Sequence, residues 1–118
     1  MKKFLVLYMA PAAELEAWMK QDESVRKADE EKMQTEWGTW MAAHKAMLTG
    51  MTAGAGKTKR VTKEGIVDVK NDIMLCSTTE AESHEALAEI FKGHPHFGIP
   101  GATIEIMPLN PLPGMEGM

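Results

Sequence analysis

The sequence has few of the features that place a protein outside the cytoplasm. It contains one cysteine, Cys76, so no disulfide can form within the chain, and a reducing compartment is the simplest setting. No apolar run approaches the roughly 18 residues that a membrane-spanning helix needs. The start, MKK followed by the apolar residues 4–10, has the outline of a short secretory signal, but Pro11 ends the run and a buried first strand is the better interpretation. We therefore expect a cytoplasmic protein with no membrane partner.

Positive charge is also scarce. Thirteen Lys and Arg residues stand against 17 Asp and Glu residues, which gives a formal net charge of −4. A nucleic-acid-binding protein usually needs a clustered basic face, so we expect no nucleic acid among the partners. Lys57, Lys59, Arg60 and Lys63 do cluster, but a charged, solvated hairpin edge that discourages pairing between molecules explains them at least as well.

One stretch, residues 83–107, organises the rest of the chain. Leu87, Ile90 and Phe91 form an i, i+3, i+4 stripe that predicts a helix, which Ser83 can cap and which Gly93 can end. Residues 102–106 alternate with period two and predict a half-buried strand. Two imidazoles, in the turn His94-Pro95-His96, lie between the helix and the strand.

The preceding residues predict a single domain over residues 1–118. Residues 3–9 form an apolar run typical of a central strand, and residues 12–20 a short helix. A long helix is predicted over residues 25–48. One face of that helix carries Met33, Trp37, Trp40, Met41, His44 and Leu48.

The middle of the chain is harder to interpret. Residues 51–61 have weak strand propensity, and residues 66–69 are a short extended piece between turn signals at 63–65 and 70–72. A further strand opens at residues 73–76, and the helix after it could be capped by Ser77, Thr79 or Ser83. Three prolines after residue 107 predict an extended tail over 108–118.

The order of elements is strand, helix, strand or hairpin, strand, helix, strand. This βαββαβ pattern predicts a ferredoxin-like α+β sandwich with helices on one face of a four-stranded antiparallel sheet. The opposite face of the sheet would be uncovered and apolar. The same face of a second copy of the chain could bury it, so we expect a homodimer.

Several segments resemble the YCII-related family of small dimeric α/β-barrel proteins. They are KFLVLY at 3–8, ESHEA at 82–86, GHPH at 93–96, GATIEI at 101–106, MPL at 107–109 and LPGM at 112–115. The resemblance implies a ferredoxin-like protomer, a dimer whose sheets face each other around a cavity, Ser83 as the helix cap, and a third strand over about 72–81.

The same resemblance bears on the chemistry of the pocket. The better-known branch of the family pairs a histidine on the long helix with an aspartate just before a proline. Trp37 and His94 stand at those two positions here. The resemblance therefore implies that this chain has the family's pocket but lacks its acid–base pair.

The turn His94-Pro95-His96 has three interpretations. It could be structural, with His94 capping helix carbonyls and Pro95 setting the chain direction. Its rings could instead line a pocket for an organic ligand. Side chains at i and i+2 of an extended loop point the same way, so the rings could also face one metal ion. The plausible third ligands for that metal are His44, Glu105 and Asp68.

Trp37, Trp40 and His44 form an aromatic and polar strip on the long helix. Core packing is the simpler explanation, although a histidine on an apolar face must find a partner, which a ligand could supply. We predict that these three residues with His94 and His96 bind a small, largely apolar or aromatic organic molecule. His94 and His96 are also the candidate general acid or base. We expect no cofactor and no resident metal. The alternatives are a cofactor-free oxygenase or isomerase of the same barrel type, and a non-catalytic oligomerisation or regulatory module.

Overall fold

Residues 1–115 form three α-helices and two β-sheets, an α+β arrangement. The computed structural model describes residues 1–115; residues 116–118, the end of the predicted tail, lie outside the described residues. The elements in chain order are β1 (Lys2–Met9), α1 (Ala12–Met19), α2 (Glu23–Ala43), β2 (Thr52–Gly54), β3 (Thr58–Thr62), β4 (Gly65–Val69), β5 (Ile73–Ala81), α3 (His84–Phe91), a short 3-10 helix (Pro95–Gly98) and β6 (Thr103–Pro108).

The main sheet has four antiparallel strands in the order β2-β5-β1-β6. β1 is a central strand, as its apolar run predicted, and pairs with β5 on one side and β6 on the other. Its pairing with β5 is irregular at one point, between Tyr8 and Met9, where the register shifts by one residue. A bulge of this kind locally bends a strand, and here it lies at the end of β1 that is nearest to the 3-10 helix.

The hydrophobic core lies on one face of this sheet. Phe4, Val6 and Tyr8 alternate along β1 and are all at most 1 % exposed. They pack against the second half of α2 and against α3, because Trp40, Leu87 and Phe91 belong to the same buried cluster. Ser83 caps α3, as predicted, and its Oγ accepts a hydrogen bond from the backbone N–H of Ala86 at 3.1 Å.

The opposite face of the sheet carries the other set of alternating side chains. Leu5, Leu7 and Met9 of β1 are half-buried and stand outside the buried core cluster. The register places Cys76 of β5 and Glu105 of β6 beside Leu7. This face is therefore apolar along its central strand and polar toward its edge.

The long helix ends earlier than the sequence predicted. The prediction of a helix over residues 25–48 is wrong at its C-terminal end, because α2 stops at Ala43. Beyond His44 the chain turns toward β5 and forms backbone hydrogen bonds with that strand. The Glu80 N–H donates to the Met47 carbonyl at 2.9 Å, and the Gly50 N–H donates to the Thr78 carbonyl at 3.3 Å. Gly50 approaches Thr78 so closely that an added Cβ would overlap the Thr78 hydroxyl.

The ambiguous middle of the chain forms two separate structures. Residues 52–54 join the edge of the main sheet as β2, whereas β3 and β4 form an independent two-stranded hairpin. The turn signal at residues 63–65 is confirmed as the tip of this hairpin, where Gly65 has a φ of 151°. The sequence suggested a strand or a hairpin here, and the chain builds both.

The last strand is longer than predicted and runs to Pro108, where the sheet edge tolerates a residue without an N–H group. After it, residues 109–115 form no further helix or strand. Within residues 1–115, no helix is at once long enough and apolar enough to cross a membrane.

Trp40 tests the packing of α2 on the sheet. Its side chain is 8 % exposed and contacts Phe91 at a ring-centroid distance of 5.0 Å. We expect Trp40→Ala to lower the free energy of unfolding by about 3–5 kcal/mol, because it removes a large buried side chain and leaves a cavity. The measurement is urea denaturation. Trp18→Ala, at a half-buried position on α1, is the control and should cost clearly less. A loss under about 1 kcal/mol for Trp40→Ala would contradict this packing.

Candidate functional site

An aromatic and imidazole cluster lies between the end of β1 and the second half of α2. β1 contributes Tyr8, α2 contributes Trp37 and Trp40, and the segment after α3 contributes His94 and His96. The Tyr8 ring lies 5.1 Å from Trp37, 5.2 Å from His94 and 5.7 Å from His96, measured between ring centroids. We refer to these five residues as the ring cluster.

His94 lies at the centre of the ring cluster. Its ring is perpendicular to that of Trp37 at 4.3 Å, close to Trp40 at 4.4 Å, and parallel to Phe91 at 5.7 Å. Its Nδ1 accepts a hydrogen bond from the backbone N–H of His96 at 2.9 Å, so His94 caps the start of the 3-10 helix. Because Nδ1 is the acceptor, the proton of the neutral ring is on Nε2.

His96 ties the 3-10 helix to the central strand. Its side chain is fully buried, and its Nε2 lies 2.9 Å from the carbonyl oxygen of Met9. Since a carbonyl can only accept, Nε2–H is the donor, and the neutral ring keeps a lone pair on Nδ1.

Three buried nitrogens of the ring cluster have no hydrogen-bond partner within residues 1–115. They are Nε1 of Trp37, Nε2 of His94 and Nδ1 of His96. The first two are donors and the third is an acceptor. A buried polar atom without a partner costs free energy, and one cluster here contains three of them. Within the described residues, the ring cluster therefore has two hydrogen-bond donors and one acceptor that are free of protein partners.

Burial sets the charge of both histidines. It lowers the pKa of His94 from 6.5 to about 4, with smaller contributions from the nearby His96 and His44. Burial also lowers the pKa of His96, and the nearby backbone of Met9 and Thr103 opposes that effect to a smaller extent. Both rings are therefore neutral at pH 7. Burial raises the pKa of Tyr8, whose hydroxyl lies 3.1 Å from Ser77 Oγ.

The structure corrects the sequence-based description of the histidine turn. A turn between a helix end and a strand, at one end of the sheet, predicts that both rings lie near the mouth of a cavity. In the structure, however, His94 is 3 % exposed and His96 is fully buried. His94 does act as a cap, but of the 3-10 helix that follows it and not of the carbonyls of α3. Pro95, which stands between the two histidines in the sequence, helps to line a groove of about 490 Å³.

His44 lies at the periphery of the ring cluster. Its ring packs on Trp40 at 4.3 Å, and its Nδ1–H donates to the Trp40 carbonyl oxygen at 2.8 Å. This bond satisfies a carbonyl at the end of α2, so the partner that the sequence required of His44 is the helix itself. Trp40 is a core residue, and neither Trp40 nor His44 has one of the unpaired buried nitrogens.

The metal interpretation of the turn has no geometric support. Within residues 1–115, no three His, Cys, Asp or Glu side chains come together as a metal site requires. Of the possible third ligands, Asp68 is in the hairpin and bonded to Lys59 at 2.8 Å, and Glu105 is exposed on β6.

Tyr8 is a member of the ring cluster that was not predicted from the sequence. It is the only tyrosine of the chain and falls in an otherwise apolar strand. A buried tyrosine hydroxyl needs a partner, so this isolated residue was a usable signal. Ser77, its partner, is far away in sequence and only the register of β1 against β5 brings the two strands together.

Comparisons with known proteins give no further guidance. No protein-family model matches the chain, and no curated protein matches it.

The low pKa of His94 predicts how stability depends on pH. The unfolded chain binds a proton near pH 6.5 and the folded chain only near pH 4, so acid favours the unfolded state between these values. Stability should be full above about pH 6.5 and fall toward pH 4, by up to about 3 kcal/mol from His94. Urea denaturation across this range measures the loss.

His94→Asn separates this effect from general acid sensitivity. Asparagine keeps an acceptor for the His96 N–H but cannot be protonated, so the variant should be less stable and its stability should depend less on pH. His84→Gln, a change to an exposed histidine, should retain the slope of the wild type. An unchanged slope in His94→Asn would contradict the assignment.

Proposed function

We propose that the protein is a homodimer of the YCII-related type that binds a small organic molecule in the ring cluster. The observation that carries this proposal is the set of three unpaired buried nitrogens on Trp37, His94 and His96. A folded protein normally pairs such atoms, and a ligand that completes the set would recover the hydrogen bonds.

The topology supports the ferredoxin-like part of the proposal. With the hairpin β3–β4 treated as an insertion, β1, β2, β5 and β6 are the four strands of a βαββαβ unit. Their order in the sheet, β2-β5-β1-β6, places the first and third of these strands at the centre. This is the arrangement expected of two interleaved βαβ units.

The contact between Trp37 and His94 supports the family assignment. These residues stand where the better-known branch of the family has its acid–base pair, and their rings are 4.3 Å apart. Two positions that are more than fifty residues apart in sequence thus meet at one site. What the chain offers there is an indole N–H and a neutral imidazole in place of an acid and a base.

The unpaired atoms define the chemistry of the ligand. A hydroxyl oxygen can accept two hydrogen bonds and donate one, which matches two donors and one acceptor. The surrounding rings of Tyr8, Trp37 and Trp40 favour an apolar or aromatic body. We therefore expect a small alcohol or phenol to be preferred over a charged molecule.

A catalytic role for the same site would depend on His96. Its Nδ1 lone pair is the buried base of the ring cluster, and the Nε2–H bond to the Met9 carbonyl holds the ring in position. His96 would accept the ligand's hydroxyl proton, while Trp37 and His94 stabilise the resulting oxyanion. A non-catalytic binding module would use the same contacts without proton transfer.

Phenol and toluene test the ligand proposal, because they share a ring and differ in the hydroxyl group. We expect phenol to bind at least about tenfold more tightly than toluene, since toluene would leave all three nitrogens unpaired. The measurement is isothermal titration calorimetry. Trp37→Phe removes one donor and should reduce the preference for phenol.

Thr79→Val is the matched control for that variant. Thr79 also has a buried, unpaired polar atom, but it lies beside Phe4 on β5, away from the ring cluster. Its replacement should leave the preference for phenol unchanged. Equal binding of phenol and toluene, or the same effect of both variants, would argue for a purely structural cluster.

The half-buried sheet face predicts a dimer that buries at least about 1,000 Å² in total. Leu7 lies on the central strand of that face, so Leu7→Lys should raise the dissociation constant by at least about tenfold, as measured by sedimentation equilibrium. Ile90→Lys, which adds the same charge at an exposed apolar residue of α3, is the control. A folded wild-type monomer at tens of micromolar would contradict the dimer.

A further inference from the structure

The hairpin formed by β3 and β4 projects from the protein with its apolar side chains uncovered. We call residues 57–69 the arm. Val61 and Ile66 face each other across the two strands and are 73 % and 66 % exposed, and Val67 is 53 % exposed. A two-stranded hairpin with no packing partner is marginally stable in water. The arm therefore needs a cover outside its own main sheet.

The dimensions of the chain indicate the same need. The radius of gyration is 16.4 Å, and the molecule extends over 52 × 45 × 20 Å. A compact domain of this length has a radius of gyration of about 13.5 Å. The protomer is flat and open, so part of the surface that a compact domain would bury remains accessible.

The groove of about 490 Å³ beside the ring cluster is lined by both apolar and acidic side chains. It lies between α1, α2 and residues 95–100. Its apolar surface comes from Leu15, Trp18 and Met33. Its lining includes four acidic residues, Glu14, Asp29, Glu30 and Glu36, and one basic residue, Lys32.

Two of these acidic side chains are uncompensated. Lys32 lies 3.8 Å from Glu36, and Asp29 accepts a hydrogen bond from Trp18 Nε1 at 3.0 Å. Glu14 and Glu30 make no salt bridge within residues 1–115. The groove thus attracts a segment that is basic and apolar at the same time.

The arm has that combination. It contains four basic residues and two acidic ones. Lys59 is paired with Asp68 at 2.8 Å, whereas Lys57, Arg60 and Lys63 make no salt bridge within the described chain. Its charge and its exposed aliphatic side chains both match the groove.

The root of the arm and the groove lie at the same end of the protomer. Lys70, just after β4, forms a salt bridge with Glu16 of α1 at 2.8 Å. Asp72 accepts a hydrogen bond from the Ala12 N–H at the start of α1. Since α1 also lines the groove, a two-fold axis near this end would allow both copies to exchange arms reciprocally.

We propose that the arm of each protomer docks in the acidic groove of a second copy of the chain. This inference rests on the homodimer of the proposed function and adds a contact that is separate from the sheet face. The arm then covers Leu15 and Trp18 of the partner, and Val61 and Ile66 leave the solvent.

Charge exchange tests the contact. One chain carries Arg60→Glu and Lys63→Glu in the arm, and the other carries Glu14→Lys and Glu30→Lys in the groove. Each chain alone should dimerise at least about tenfold more weakly than wild type, because like charges face each other. An equimolar mixture should recover affinity to within about threefold, since the groove of each chain then meets an arm of opposite charge. Sedimentation equilibrium measures both, and circular dichroism confirms folding.

A cross-link gives a second, independent measurement. In a Cys76→Ser background, one chain carries Ile66→Cys in the arm and the other carries Leu15→Cys in the groove. Under mild oxidation, the mixture should form a covalent heterodimer. Ile90→Cys on α3, paired with the same arm variant, is the control and should cross-link at least about tenfold less.

The outcomes separate this proposal from the proposed function. If the arm and groove variants dimerise like wild type, or the cross-link is no stronger than its control, the arm contact is wrong while the sheet-face dimer stands. If Leu7→Lys has no effect but the charge exchange succeeds, the arms alone hold the dimer. A wild-type chain that stays monomeric at tens of micromolar overturns both contacts, and phenol binding still tests the ring cluster.

Discussion

One hydrogen bond, from His96 Nε2–H to the carbonyl oxygen of Met9, ties the 3-10 helix to the main sheet. It joins the segment after α3 to the end of the central strand, and it requires a buried imidazole. A charged ring at this depth would lose its hydration, so burial favours the neutral form of both histidines in the folded state. The same burial that positions Pro95 beside the groove and His94 against Trp37 thus also makes the fold sensitive to acid. The stability of the fold and the protonation of His94 and His96 are therefore coupled through this one turn.

Local signals in the sequence predicted much of the fold. The apolar run of β1 and the glycine-containing hairpin turn each depend on neighbouring residues, and each is confirmed. For the cap of α3 the local signals left Ser77, Thr79 and Ser83 open; the resemblance favoured Ser83, which is the cap in the structure. The end of α2 could not be predicted in this way. Its apolar periodicity continues to Leu48, but the chain leaves the helix because β5 offers backbone hydrogen bonds to Met47 and Gly50. Those bonds depend on a strand thirty residues away, which no local pattern reveals.

The sequence predicted which side chains come together better than it predicted how they are arranged. Trp37, Trp40, His94 and His96 do lie together, but as a buried cluster and not around an open mouth. Histidines in a turn next to glycine and proline suggest an exposed loop, and only the packing of α2 over the end of β1 encloses them. The groove and the ring cluster are neighbours, because Glu36 and Pro95 line the groove while the residues next to them belong to the cluster. Occupation of the groove would therefore influence access to the cluster.

The position of Tyr8 has a spectroscopic consequence. It is the only tyrosine in the chain, so the ultraviolet absorbance change that accompanies tyrosine ionisation comes from a single group. Burial raises its pKa, so opening of the core around Tyr8 increases the fraction of tyrosinate at a given alkaline pH. A jump to high pH followed by stopped-flow absorbance would thus time the opening of this core. The chain contains its own optical probe at the centre of the ring cluster, without any label.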